Sequence, residues 1–184
     1  GQKIFISNGQ IGDLFIVVAK TDASKGAHGI SLFLVEADRK GFARGRNLEK
    51  AGMSAQDTSE LFFDDVRIPA GNMLPKTTGL REPLMCLNQA RFGIAWGAVG
   101  AAMACYECAL DYTKGRTQFD RPLASFQLVQ EKLARMLTEI TKAQLLCLQL
   151  GRLKDAGTAR PQQISLAKMN NVQMALDTAR QHAV

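Results

Sequence analysis

Histidine is scarce in this chain: His28 and His182 are the only two in 184 residues. A histidine-rich metal site is therefore not expected, and no metal is assigned. Four cysteines, Cys86, Cys105, Cys108 and Cys147, lie in segments that read as helix and lack the spacing of a secreted disulfide framework. They point to a reducing, intracellular compartment. Cys105 and Cys108 match C-x-x-C, but no second pair, nearby histidine or following βαβ pattern accompanies them. The expectation is buried thiols on one helix face. Long apolar runs are missing as well. "LFIVVA" and "ISLFLV" are strand-sized, so no membrane span is expected. The opening "GQKIFISNG" has no basic region followed by an apolar core, as a signal peptide would. It lacks an initiator Met and begins almost inside a strand, so the chain is expected to be a piece of a longer protein. Aromatic residues make up 7% and no basic run exceeds two residues, which argues against nucleic acid as a partner.

What is present is ordinary globular composition, 46% hydrophobic and 22% charged. Charge is unevenly placed. Residues 1–75 carry nine Lys+Arg and nine Asp+Glu, whereas residues 76–184 carry fourteen and eight, so the whole +6 belongs to the second part. Solvated helix faces account for most of these side chains. A polyanionic ligand such as a pyrophosphate-bearing nucleotide is the sharper alternative.

The hydrophobic period changes along the chain. "KIFISNG", "LFIVVAKTD", "GISLFLVEA" and "SELFFDDVRIP" read as strands. "SNGQIGD" reads as a turn, "TDASKGAHG" as a longer hairpin loop, and the segment from Asp38 to Thr58 as a short strand or two with a loop. This is a small antiparallel sheet domain or part of one. From about Leu80 to Lys114, Leu84, Leu87, Arg91, Ile94 and Ala98 follow helical spacing. Gly93, Gly97, Ala101 and Ala104 add a stripe of small residues. Two glycines inside a helix point to close approach by another helix or a ligand. Tight helix packing is the expectation at Gly97, and either reading stands at Gly93. A second helix is expected over about Ser125–Ala156, with Phe126, Val129, Leu133, Met136, Leu137, Ile140 and Leu148 as its core face. Gly157 stops it, and Pro161 opens a third helix carrying Ile164, Leu166, Met169, Val172 and Leu176 and continuing to Val184. The fold class is α+β, an antiparallel β-domain followed by an up-down bundle that asks for a fourth helix.

Between the first two helices stands "GRTQFDRPLASFQ". Taken alone, Arg116 and the glutamines are most simply explained as capping neighbouring helices. The surrounding pattern reverses that reading. Arg116-Thr117-Gln118-Phe119-Asp120, then Pro122 and Gln127, is similar to an Arg-x-Gln-Phe-Gly, Pro, Gln pattern. With the sheet-then-bundle order, it resembles the acyl-CoA dehydrogenase family along the whole chain. The resemblance implies a partial middle β-domain over 1–75 and a C-terminal helical domain over 76–184, truncated before its last helix. It also implies that Arg116, Gln118, Phe119 and Gln127 grip FAD bound to a neighbouring subunit, the arginine and Gln127 at its pyrophosphate and adenosine portion. A guanidinium fork and a helix start both suit phosphate oxygens. Asp120 departs from the family glycine and brings a repulsive carboxylate unless it pairs with Arg121.

The same resemblance gives "FISNG" a role, since the family carries Trp-Ile-Thr/Ser-Asn beside the flavin ring. Phe5, Ile6 and Ser7 are then cofactor-binding, with Phe5 against the ring and the Ser7 hydroxyl near its hydride-accepting nitrogen. As a bare motif, a strand ending in a turn explains it equally well. "LMCLNQARFGIAWGAVGAA" looks closest to the glutaryl-CoA branch, which nominates Leu84, Leu87, Asn88 and Arg91 for the acyl-CoA pocket. "GFARGRNLEKAGMSAQDTSELFFDDVRIPA" looks instead like the long-chain or general branch. The implied activity of the intact parent is flavin-dependent α,β-dehydrogenation of an acyl-CoA thioester, glutaryl-like in its second half. It would act as a homotetramer in the bacterial cytoplasm or mitochondrial matrix, passing electrons to an electron-transfer flavoprotein. In some branches the catalytic glutamate precedes the helix arginine. Here that position is Ala90, so no catalytic residue is assigned, and the chain alone is expected to be inactive. A non-catalytic assembly module of the same fold and an acyl-CoA oxidase-like relative are the alternatives.

Overall fold

The computed structural model describes residues 1–77 and 79–182. The chain forms two compact units, Gly1–Leu84 and Met85–Val184. In the first, five antiparallel strands make two small sheets. Strands β1 (Gln2–Ser7), β5 (Thr58–Phe63) and β4 (Phe42–Asn47) pair in that order, while β2 (Leu14–Lys20) and β3 (Ile30–Glu36) form a hairpin. Successive strand side chains alternate between faces, so Phe15 is buried between the exposed Leu14 and Ile16. Val35 and Leu61 are the largest fully buried side chains of this core, and Phe42 stacks on Phe15 and meets Phe63 edge-on. The connection expected to be a longer hairpin loop contains 3-10 turns over Ala23–Gly29, capped by Asp22. Gly41 is required where it stands: its φ is +88°, and an added Cβ would lie 2.0 Å from the Asp64 carbonyl oxygen. At the end of β3, the forked bond from Arg39 holds the Glu36 carboxyl far below its usual value, at about 2.

Three long helices follow: α1 (Arg81–Gly115), α2 (Gln127–Asp155) and α3 (Pro161–His182). The expected continuation of α3 to Val184 lies outside the described residues. The expected punctuation is in place. Gly157, at φ +68°, ends α2 with its amide on the Lys154 carbonyl and that of Thr158 on Leu153, a Schellman closure. Pro161 opens α3, and Gln163 returns its side-chain oxygen to the Arg160 amide.

The buried faces differ from the expected ones. On α1 they are Ala95, Val99, Ala102 and Ala109, while Leu84, Leu87 and Ile94 are exposed. Gly93 and Gly97 are also exposed, and a Cβ at either would meet nothing within 4 Å, so tight helix packing at Gly97 is not observed among the described residues. The core stripe of α2 runs through Met136, Ile140, Ala143, Cys147 and Leu150, which leaves Leu137 and Leu148 one position outside it. On α3 the stripe is Ile164, Ala167, Asn171, Met174 and Thr178. The expected Leu166, Met169, Val172 and Leu176 all face outward. Cys147 alone is a buried thiol; Cys86 and Cys108 are exposed and Cys105 half-buried, contrary to the expectation for the C-x-x-C pair. Against the expectation of no span-length apolar segment, α1 is long and apolar enough to cross a membrane by length and composition. Its buried Ala95, Val99 and Ala102 join Ile140, Cys147 and Ile164 in one helical core.

Candidate functional site

The polar turn after α1 is a miniature hairpin. Thr117 pairs with Pro122 and Gln118 with Arg121. The two residues between them, Phe119 (φ +51°) and Asp120 (φ +60°), are both left-handed. That is the backbone of a two-residue type I′ turn, a position usually taken by Asn-Gly or Gly-Gly. The phenylalanine makes the turn costly, by about 1–2 kcal/mol for a left-handed L-residue. Local contacts offset this. Phe119 meets Phe126 edge-on at 6.3 Å, and the Arg121 guanidinium lies 3.9 Å from the centre of the Phe126 ring. Arg121 is thus engaged with an aromatic face, and no ion pair joins it to Asp120 among the described residues.

That hairpin presents the expected groups to solvent. Arg116, Gln118 and Gln127 are exposed, and their side chains have no hydrogen-bond partner among the described residues. The Phe126 side chain does not cap α2, and the amides of Gln127 and Leu128 find no acceptor among the described residues. One cation, two side-chain amides and two free backbone N–H groups therefore gather at the positive end of a 29-residue helix. Such a set suits a phosphate-bearing ligand. The helix-capping alternative for the Arg116 and glutamine side chains finds no bond among the described residues.

Phe5, Ile6 and Ser7 lie in the sheet unit. β1 pairs regularly with β5 up to Lys3 and again from Ile6, with a bulge between them. Phe5 occupies the bulge at φ +62° and is 72% exposed, an outlier for a bulky residue. Its ring is pushed outward as a free apolar plate. Ile6 is half-buried, and Ser7 is exposed with no partner for its hydroxyl among the described residues. Behind them, the turn from Asn8 to Gly12 is fastened by Asp57, Gln10 and Arg44. None of these was nominated from the sequence. No local signal marks them, because their partners come from distant strands.

At the start of α1, Leu84 and Leu87 are exposed and Asn88 is half-buried. Arg91 reaches α3, where its Nη1 donates to the Ser165 Oγ at 3.3 Å, so part of its capacity is spent joining helices. Ala90 stands exposed beside it. Within the helical unit, Asn88 and Arg91 are not brought near the hairpin. The stretch of α1 from these residues to Gly115 separates them, a distance of roughly 35–40 Å at 1.5 Å per residue. An open groove of about 850 Å³ between α2 and α3, lined by Met136, Glu139, Met169 and Gln173, contains none of the nominated residues. No cluster of three metal-ligating side chains occurs among the described residues.

Residues 77–183 match the family described as acyl-CoA dehydrogenase, C-terminal domain, and residues 1–66 match acyl-CoA dehydrogenase, middle domain. The mouse mitochondrial long-chain specific acyl-CoA dehydrogenase is 46% identical over 86% of the chain and 39% of its own length. The short-chain specific enzyme of Megasphaera elsdenii is 40% identical over 91% of the chain and 44% of its own. A solved glutaryl-CoA dehydrogenase from Mycobacterium smegmatis, in complex with FADH2, superposes with a TM-score of 0.92 at 48% identity, over 99% of the chain and 46% of that structure's. The chain thus spans less than half the length of each.

Proposed function

This chain belongs to the acyl-CoA dehydrogenase family, and on that premise we propose that it is part of an FAD-dependent enzyme that desaturates an acyl-CoA thioester between its α and β carbons. The observation that carries the reading is the strained hairpin at Arg116–Pro122. Its unpaired guanidinium and the uncapped start of α2 fit a pyrophosphate, and the left-handed pair at its tip holds them in place. The outward ring of Phe5 and the free hydroxyl of Ser7 fit the flat face and polar edge of a flavin.

In this reading Arg116, Gln118, Phe119 and Gln127 hold the phosphate and adenosine end of an FAD bound to a neighbouring subunit, and Phe5, Ile6 and Ser7 face the ring of the copy's own FAD. Leu84, Leu87, Asn88 and Arg91 line the acyl-CoA pocket. Bound FAD would supply the acceptor for the hydride leaving the β-carbon. What this chain adds is orientation and charge: Ser7 offers a hydrogen-bond donor to the ring, and Arg116 neutralises phosphate. Proton abstraction from the α-carbon needs a base. Ala90 cannot accept a proton, so we assign no base within residues 1–184. The second half favours a glutaryl-like substrate with possible loss of carbon dioxide, while the mouse and Megasphaera relatives are named for long and short chains. We take the enzyme to be a homotetramer of the mitochondrial matrix or bacterial cytoplasm. Its residues 1–75 and 76–184 would form parts of the middle and C-terminal domains, and an electron-transfer flavoprotein would reoxidise it.

The test uses the full-length protein. Arg116→Ala is expected to lose about 1.5–3 kcal/mol of FAD binding, roughly ten- to a hundredfold in affinity. Arg152→Ala, an exposed arginine near the end of α2, should change nothing. Equal flavin occupancy in the two purified variants rejects the assignment. A colourless wild-type protein would identify a non-catalytic assembly module instead. Substrate reduction followed by rapid peroxide formation would identify an oxidase.

A further inference from the structure

The segment proposed to face the flavin is bounded by two left-handed residues, Phe5 (φ +62°) and Asn8 (φ +59°). Such a conformation relaxes toward extended backbone unless its surroundings hold it. The groups that hold it act on the turn that follows Ser7. Asp57 uses two atoms: its carbonyl accepts the Asn8 amide at 3.1 Å, and its Oδ2 accepts the Gln10 amide at 2.7 Å. The Gln10 Nε2 donates to the Gly45 carbonyl at 2.7 Å and to the Ser59 Oγ at 2.9 Å. Arg44 donates from Nε to the Gly9 carbonyl at 3.1 Å and from Nη2 to the Gly12 carbonyl at 2.7 Å. Ser59 is fully buried, and a Cβ on Gly9 would fall 2.9 Å from the Ser59 Cβ, so the turn lies flush against β5.

We propose that Asp57, Gln10 and Arg44 are positioning residues for the cofactor: a clamp that fixes the Phe5–Asn8 backbone and thereby the direction in which Ser7 offers its donor. The inference rests on the flavin reading of Phe5 and Ser7 and extends it to residues that touch neither ring nor substrate. Hydrogen bonds to a turn are common, but this turn is gripped from β4, from β5 and from the loop between them. Two of the gripped amides, those of Asn8 and Gln10, belong to one Asp57. Removing its carboxylate releases the Gln10 amide, two residues beyond Asn8, and loosens the turn that follows Ser7 while the Asp57 carbonyl stays on Asn8.

Full-length, flavin-loaded protein carrying Asp57→Ala is the test, read by the absorption spectrum of the bound oxidised flavin and by its midpoint potential. Asp57→Ala is expected to shift both in the same sense as Ser7→Ala. It should add nothing in a Ser7→Ala background, and Asp57→Asn, which keeps an acceptor oxygen, should restore both. A role confined to stability would lower the melting temperature and leave spectrum and potential alone. An unchanged spectrum and potential in Asp57→Ala, with Ser7→Ala shifting both, overturns the clamp while leaving the flavin reading intact. If Ser7→Ala moves neither, the flavin reading of Ser7 fails and takes the clamp's role with it. Should Asp57→Ala not yield folded protein, Arg44→Lys replaces it. That variant retains the charge but loses the forked grip on Gly9 and Gly12, and a smaller shift of the same sign is expected.

Discussion

At Asp120 one side chain opposes the hairpin twice. The second central residue of a type I′ turn is left-handed, here at φ +60°, where glycine is unstrained and an aspartate is tolerated at some cost. Its carboxylate also stands beside groups that gather positive charge, and Arg121, spent on the Phe126 ring, does not neutralise it. Both effects favour glycine, so in the full-length protein Asp120→Gly is expected to tighten FAD by about 0.5–1 kcal/mol, two- to fivefold. Asp120→Asn separates the two contributions, since it removes the charge and keeps a residue that accepts left-handed backbone. If the charge dominates, asparagine and glycine perform alike; if backbone strain dominates, only glycine improves binding. Titration of the apoprotein with FAD measures it, and weaker binding by Asp120→Gly would count against phosphate at this turn.

At the scale of helices and strands, the period was legible and the side was not. Helical spacing in residues 80–182 placed three helices, and Gly157 and Pro161 marked their junction, because these signals are local and backbone-driven. The face that packs depends on neighbours. α1 is apolar almost all round, so leucines at 84 and 87 carried no information about direction, and the alanines at 95 and 102 take the core instead. In α3 the buried stripe contains Asn171 and Thr178, which a search for apolar residues passes over. The candidate site divides in the same way. Arg116 and Gln127 could be read from their pattern. The left-handed Phe119 and the bulge at Phe5 could not, because neither residue type favours that backbone. Asp57 and Gln10 meet only because β1, β4 and β5 pair. Asn171 shows what a buried polar residue does here: it is fully enclosed, and its Nδ2 donates to the Ala95 carbonyl at 3.1 Å and the Cys147 sulfur at 3.0 Å. One side chain thereby ties α3 to both α1 and α2. Asn171→Ala is expected to cost about 2–3 kcal/mol by denaturant unfolding, from the lost bonds and the cavity. The exposed Gln173→Ala should stay within about 0.5 kcal/mol.

For the whole molecule, the length of α1 is the decisive quantity. Asn88 and Arg91 near its start and the Arg116 hairpin beyond its end are roughly 40 Å apart. Under the proposed function, the substrate end and the phosphate end of one copy then serve two different sites, and each site draws its hairpin from a neighbour. The exposed Ile94, Trp96, Met103 and Tyr112 on α1 leave apolar surface for such an assembly. Subunit mixing tests this directly. Let one full-length variant carry Arg116→Ala and the other Asn88→Asp, which sets a negative charge against the anionic CoA. Each alone is expected to turn over poorly. If the hairpin acts across a two-fold interface, every mixed pair holds one site with both lesions and one with neither. Random pairing makes half of the pairs mixed, so co-expression at equal levels should restore about a quarter of wild-type activity. If the hairpin serves its own copy, every site keeps one lesion and mixing restores nothing. Recovery that scales with the fraction of mixed pairs would place the Arg116 hairpin in the neighbour's site, and flat activity across all ratios would return it to its own chain.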